Sequence, residues 1–261
     1  MNRLPLGLFA ALLLLCLSAC GAQPQQQPTP PAAEEPAPVQ EAEETPPAPT
    51  AEELAAQAVE DLLASMTLEE VLAVMDRAEA AGKTTVRLHT GDPSIYGAIR
   101  EQMDALEARG YAYDVTPGVS SFCGAAAALK AEYTLPNVSQ TVIITRAEGR
   151  TPVPEGEQLK KLAAHGSTMV LFLSSSLLEK AQQDLMEGGY SPDTPAAIVY
   201  KATWPDEKVF RCTVSTLAQT ARENHITKTA LVTVGGFLGD RYDRSLLYDP
   251  GFSHGCREAS K

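Results

Sequence analysis

Apolar and polar positions along this chain repeat with a period that changes from segment to segment, and the changes mark out its elements. In residues 51–66, Leu54, Val59, Leu62 and Leu63 recur at helical spacing among Glu and Ala, which predicts an amphipathic helix. Thr67 and Glu70 follow as a capping box, the Thr hydroxyl accepting from a free backbone N–H and the Glu reaching back, so a second helix should run to about Ala81 and close at Gly82. The period then shortens. Residues 84–88 read as a strand, 95–109 as a helix closed by Gly110, and 111–115 as another strand. Beyond Pro117 the pattern predicts helices at 121–130, 156–164, 177–186 and 215–223, with strands at 141–145, 169–173, 196–200, 208–213 and 230–234. Such alternation predicts an α/β fold, here with two lobes hinged near Pro117-Gly118.

The first fifty positions follow different rules. Residues 1–20 start with one Arg, continue with a short apolar run and end in small residues before Cys20, the grammar of a signal peptide. The run falls short of the ~20 residues of a comfortable bilayer span. Leu17-Ser18-Ala19-Cys20 resembles the lipobox of bacterial lipoproteins, which implies cleavage before Cys20, lipidation of its thiol and a membrane anchor. Residues 21–50 are Gln, Pro, Ala and Glu with five acids and no base, so they should form a disordered, solvated spacer. Four parts result: a signal at 1–20, a linker at 21–50, a helical lead-in with the first lobe at 51–116, and the second lobe at 117–261.

Composition narrows the classes of function. With 261 residues and 44% hydrophobic positions the chain can bury a sizeable core. Its net charge of −12 lacks the basic footprint of a sequence-independent nucleic-acid binder. Of five cysteines, Cys16 and Cys20 belong to the signal. Cys123, Cys212 and Cys256 remain, odd in number and far apart, which suits a reduced, cytoplasmic ancestry better than a disulfide framework. The N-terminal address and the globular body therefore point to different compartments.

Candidate chemistry lies where strands run into helices. Val86-Arg87-Leu88-His89-Thr90-Gly91-Asp92-Pro93-Ser94-Ile95-Tyr96-Gly97 is a strand, a Gly-Asp-Pro turn and a helix start, and ligands collect at the carboxyl ends of such strands. Gly91 lets backbone approach a ligand, Asp92 can cap or contact it, and Pro93 presets the helix start. Thr116-Pro117-Gly118-Val119-Ser120-Ser121-Phe122-Cys123-Gly124 offers hydroxyls and free N–H groups at a second helix start. His89, His165, His225 and His254 show no spacing of a catalytic triad, and His254-Gly255-Cys256 is too small a set for zinc, so no metal is expected. Gly235-Gly236-Phe237-Leu238-Gly239-Asp240 lacks the glycine spacing of a dinucleotide fingerprint.

These stretches, together with Thr145-Arg146-Ala147-Glu148-Gly149-Arg150, Leu171-Phe172-Leu173 and Lys201-Ala202-Thr203-Trp204, resemble in order and wording the tetrapyrrole methylase family, from about Ser65 onward. Within it the likeness is to the branch that methylates precorrin-4 or cobalt-precorrin-4 at C11 in cobalamin synthesis. The resemblance implies a two-lobed α/β enzyme, a methyltransferase that holds S-adenosylmethionine between its lobes. It carries the cofactor contacts onto Thr90, Gly91, Asp92, Ile95, Ser120, Ser121, Leu173 and Ala202. Arg146, Arg150 and Lys201 become candidate partners for the carboxylates of a corrin precursor. No side chain is assigned a catalytic role, because the sulfonium is already an activated donor and positioning does most of the work.

The family also implies an opening strand, a Gly-rich GxGPGD loop and about two further strands before the region matching Met66, and this sequence has the signal, spacer and lead-in helix there instead. The first lobe is therefore expected to be truncated, with an exposed strand edge at 84–88 that pairing with a second copy would cover. Residues 51–70, with AVEDLLASMTLEE, also resemble the start of a family 3 glycoside hydrolase, which implies two unrelated coding sequences joined near Ser65–Glu70. The alternative function is a non-catalytic, membrane-anchored lipoprotein carrying a degenerate methylase lobe.

Overall fold

The computed structural model of the chain describes residues 65–260. The expected signal, Cys20, the spacer and all but the last two residues of the helix expected over 51–66 lie outside the described residues.

Helix α1 (Leu68–Ala80) starts where the capping box places it: Thr67 Oγ1 accepts from Glu70 N at 3.2 Å, and Glu70 Oε2 accepts from Thr67 N at 2.8 Å. Two of the four free N–H groups of the first turn are thereby satisfied without help from the rest of the fold. Helix α2 (Arg100–Ala108) begins five residues later than its pattern predicts, because the loop before it carries Tyr96 and Ala98 in left-handed backbone that no helix accommodates. Arg109 Nε donates to Asp76 Oδ1 at 3.0 Å and ties the two helices together.

Residues 84–88 and 111–115 form no strand, contrary to the expectation from their alternation. A strand exists only if neighbours take up its N–H and C=O groups, and an isolated pair is marginal in water. Among the described residues no other strand lies in this part of the chain. The side chains accordingly stay in solvent: Val86 is 74% exposed and Leu88 73%. The first lobe thus has two helices and extended connections in place of its expected sheet.

The second lobe contains a five-stranded sheet. Its strands are β1 (Val142–Arg146), β2 (Thr168–Phe172), β3 (Pro195–Tyr200), β4 (Lys208–Thr213) and β5 (Ala230–Val234), in spatial order β1-β2-β5-β3-β4. β1 and β2 are parallel, and β5 runs antiparallel between β2 and β3, so β1, β2 and β3 all point the same way. Period-two alternation sorts the side chains. Met169, Leu171, Ile198, Val232 and Val234 face α4 (Leu159–Ala163), α5 (Leu178–Glu187) and α6 (Leu217–Glu223) in the larger core. Val170, Ala197, Val199 and Leu231 face α3 (Ser121–Leu129), Tyr133 and Phe237. Both faces are covered, which is why β2, β3 and β5 read as nearly continuous apolar runs. Among the described residues no helix is long and apolar enough to cross a membrane.

Candidate functional site

The parallel run of β1, β2 and β3 brings three strand ends to one edge of the sheet, and the residues just past those ends leave ordinary backbone geometry. Leu173 follows β2 at φ +49°, and Lys201 and Thr203 follow β3 at +47° and +72°. With Tyr96 and Ala98 of the segment before α2 at +56° and +50°, five of the nine left-handed non-glycine residues among those described lie in these loops or in that segment. Each costs of order 1–3 kcal/mol, and such strain collects at binding sites.

Opposite this edge, residues 90–98 pack against the connection into α3. Gly91 lies at φ +69°, a backbone that L side chains rarely adopt, and its Cα packs on the turn, a Cβ there standing in van der Waals contact with Ser121 N at 3.4 Å and Ser120 Cα at 3.5 Å. The approach is closest at Gly118, where a Cβ would fall 2.0 Å from the Gly91 carbonyl oxygen. Asp92 locks the arrangement: Oδ2 accepts from Gly118 N at 3.0 Å, and Oδ1 accepts from Ser94 N at 2.8 Å and from the Ser94 hydroxyl. The Ser94 hydroxyl and amide, then the Gly118 amide, hold the Asp92 carboxyl below its ordinary range, so it is ionised at neutral pH.

Ser120 is the N-cap residue of helix α3; it is a buried residue, and its hydroxyl caps nothing in its own helix and meets no partner among the described residues. One turn on, Gly124 lies under the β3 loop, with Thr203 Cγ2 and Ala202 Cβ at 3.3 and 3.6 Å from where its own Cβ would be. The run of alanines that follows lets the helix lie flat on the sheet, and Lys130, at φ +52°, ends it.

The predicted cofactor residues therefore converge. Gly91 and Asp92 touch the Gly118–Ser121 turn, Thr90 and Ile95 flank them, and Ala202 adjoins α3 through Gly124. Leu173 follows Phe172, whose ring meets Tyr96 at 5.4 Å, and it stands 67% exposed at the same edge. The three candidate cations differ. Arg146 spends its guanidinium on the carbonyls of Thr151 (3.1 Å) and Pro152 (2.7 Å), shaping the loop after β1. Lys201 Nζ pairs with Asp206 Oδ2 at 2.5 Å and lies over the rings of Trp204 and Tyr200. Arg150 is exposed on the same loop as Arg146, and its head group has no partner among the described residues.

The motifs mark Gly118 only as part of the hinge turn and give no role to Tyr96, Phe172 or Thr203. The Pro-Gly turn was a usable signal for Gly118; nothing local signals the other three, since their part depends on which strand ends become neighbours. The four histidines lie apart from this edge or show no catalytic pairing: His89 is held below its usual range by partial burial and then by Arg87, and His254 Nδ1 accepts from Cys256 N at 3.3 Å. Among the described residues no group of three or more His, Cys, Asp or Glu could hold a metal ion.

Comparison with known proteins adds the following. The family model for Tetrapyrrole (Corrin/Porphyrin) Methylases matches residues 21–218, a range that starts upstream of Ser65. A cobalt-precorrin-4 C(11)-methyltransferase from Methanocaldococcus jannaschii is 53% identical over 188 residues, covering 72% of this chain and 73% of the relative. One from Priestia megaterium is 51% identical over 184 residues, covering 69% and 71%. The X-ray structure of a cobalamin biosynthetic enzyme, cobalt precorrin-4 methyltransferase, is 51% identical with a TM-score of 0.66, over 68% of this chain and 74% of that one.

Proposed function

Because the chain belongs to the tetrapyrrole methylase family, we propose that it catalyses S-adenosylmethionine-dependent methylation of precorrin-4 or cobalt-precorrin-4 at C11 in the synthesis of the corrin ring. Identity above half to relatives of that activity supports the substrate. The observation that carries the reading is the junction of the 90–98 loop with the start of α3, closed by the Asp92 to Gly118 bond and facing the ends of the parallel strands.

This junction fits a nucleoside-like ligand. The glycines bring backbone close, the Ser120 hydroxyl stands unengaged at a helix start, and Leu173 and Ala202 add apolar surface. S-adenosylmethionine supplies an activated methyl group when bound. The chain's residues do the rest by position: Asp92 fixes the floor, Ser120 and the free N–H groups of α3 receive polar ligand atoms, and Arg150 attracts a carboxylate of the second substrate. Metal, where present, would arrive in the macrocycle.

A second reading, a non-catalytic lipoprotein with a degenerate methylase lobe, is favoured by one observation: residues 84–88 and 111–115 form no strand among the described residues. Calorimetric titration of S-adenosylhomocysteine into the purified full chain separates the two. Micromolar binding, followed by methyl transfer to cobalt-precorrin-4 detected by mass spectrometry, is expected. A folded chain that binds no S-adenosylhomocysteine would sink the enzymatic reading and leave the lipoprotein.

A further inference from the structure

Tyr96 shares with the exposed Tyr242 and Tyr248 a hydroxyl that has no partner among the described residues, but of the three it alone meets another aromatic ring. The hydroxyls of Tyr113, Tyr133 and Tyr190 each donate to an acceptor, respectively Glu107, the Phe122 carbonyl and the Ser167 carbonyl. That of Tyr96 has none among the described residues, although partial burial pushes its phenol up, with Arg146 and Glu157 acting on it in opposite senses. Its backbone is held at φ +56°, a conformation that an aromatic residue adopts only under constraint. The constraint is visible: the turn from Pro93 to Gly97 is so tight that a Cβ on Gly97 would stand 2.0 Å from the Pro93 carbonyl oxygen.

The strained turn carries the Tyr96 ring to the end of β2, where it meets Phe172 at 5.4 Å and 40°. The ring nevertheless remains 45% exposed. Leu173 lies next to Phe172, and the Arg146–Arg150 loop leaves the end of the neighbouring parallel strand, β1. An exposed aromatic and aliphatic edge with one unengaged hydroxyl suits a flat, hydrophobic ligand bordered by carboxylates and carbonyls.

Resting on the methyltransferase reading above, we propose that Tyr96 is a contact residue for the tetrapyrrole, its ring extending the Phe172–Leu173 platform under the macrocycle and its hydroxyl donating to a peripheral oxygen. Specificity for an oxygen-bearing macrocycle edge then comes in part from the first lobe's loop.

The test uses the full chain with Tyr96→Gly and Tyr96→Phe. Glycine removes the ring and relaxes the positive φ, so folding should be preserved; phenylalanine keeps the platform and deletes only the donor. Tetrapyrrole binding is followed by quenching of protein fluorescence with cobalt-precorrin-4, S-adenosylhomocysteine binding by calorimetry, and KM and kcat by methyl transfer. Tyr96→Gly should weaken tetrapyrrole binding and raise KM by about tenfold or more, and Tyr96→Phe by roughly threefold, with S-adenosylhomocysteine affinity changed less than about threefold in both. Unchanged tetrapyrrole binding in Tyr96→Gly would overturn the proposal, as would an equal loss of S-adenosylhomocysteine binding, which would make Tyr96 a support of the cofactor loop. A parent chain that binds the tetrapyrrole in a Tyr96-dependent way yet transfers no methyl group would reject the catalytic reading and still support the contact.

Discussion

Residues 65–119 and residues 120–235 carry similar hydrophobic patterning, yet only the second stretch turns it into a core. Between 65 and 119 a single residue, Leu72, is buried, whereas β2, β3 and β5 bury almost every side chain on both faces. The helices of the first stretch stand on a capping box closed within four residues and on one solvent-facing Arg109–Asp76 pair between them. The sheet stands on long-range partners. What separates them is whether the strands find neighbours: alternation in sequence specifies a face, and only pairing makes a face into a layer.

The sharpest way to break this contrast is by truncation. Leu171→Ala, in the middle of β2, should cost about 2–5 kcal/mol in urea denaturation, while Val86→Ala, on an exposed segment, should stay within about 0.5 kcal/mol. Equal losses would mean that the first stretch has a core of its own. Next in size is Gly118→Ala. Its methyl group must push the Gly91 carbonyl away, so S-adenosylhomocysteine affinity should fall by about tenfold or more, a loss of ~1.4 kcal/mol or greater, with the urea midpoint of the sheet hardly moved. A parallel fall in both would show that the site junction and the sheet unfold as one unit.

Thr67→Ala should cost α1 about 1 kcal/mol, seen as faster amide hydrogen exchange over residues 68–80 without change in exchange of β2 or β5. The smallest effect concerns acid. Asp92 has its carboxyl lowered by Ser94 and Gly118, so its contribution is fully present above the ordinary 3.8 and disappears as pH falls through the lower folded value. Fluorescence of Trp204, the single tryptophan and a member of the β3 loop, should therefore be flat from pH 8 down to about 5 as far as Asp92 is concerned and change only in stronger acid. Asp92→Asn should abolish that low-pH step.

Much of the second lobe was legible because its signals are redundant. The predicted strands at 196–200, 208–213 and 230–234 match to within one residue, since apolar runs, turn residues and both-face burial agree. The capping box was legible for the opposite reason, being closed within four residues. Residues 84–88 were read correctly as strand-patterned and wrongly as a strand, because the pattern states what a segment can bury and says nothing of what is there to bury it. At the site, Gly91, Asp92, Ser120 and Ser121 were recognisable from their motifs and do come together. The engagement of Arg146 by Thr151 and Pro152, and of Lys201 by Asp206, was not, since a charge in sequence looks the same whether or not its head group is already occupied.

A helix that closes its own first turn takes no instruction from what precedes it. Thr67 and Glu70 satisfy each other's backbone, so the start of α1 at Leu68 is written in residues on its own side of the cap. In the language of grafting, the box is a splice-tolerant seam: leader, spacer or whole domain can be exchanged in front of it while the chain behind keeps its register. Variation in length and composition should therefore be absorbed before Thr67 far more readily than at the Asp92–Gly118 clasp, where two distant segments must meet at fixed separation.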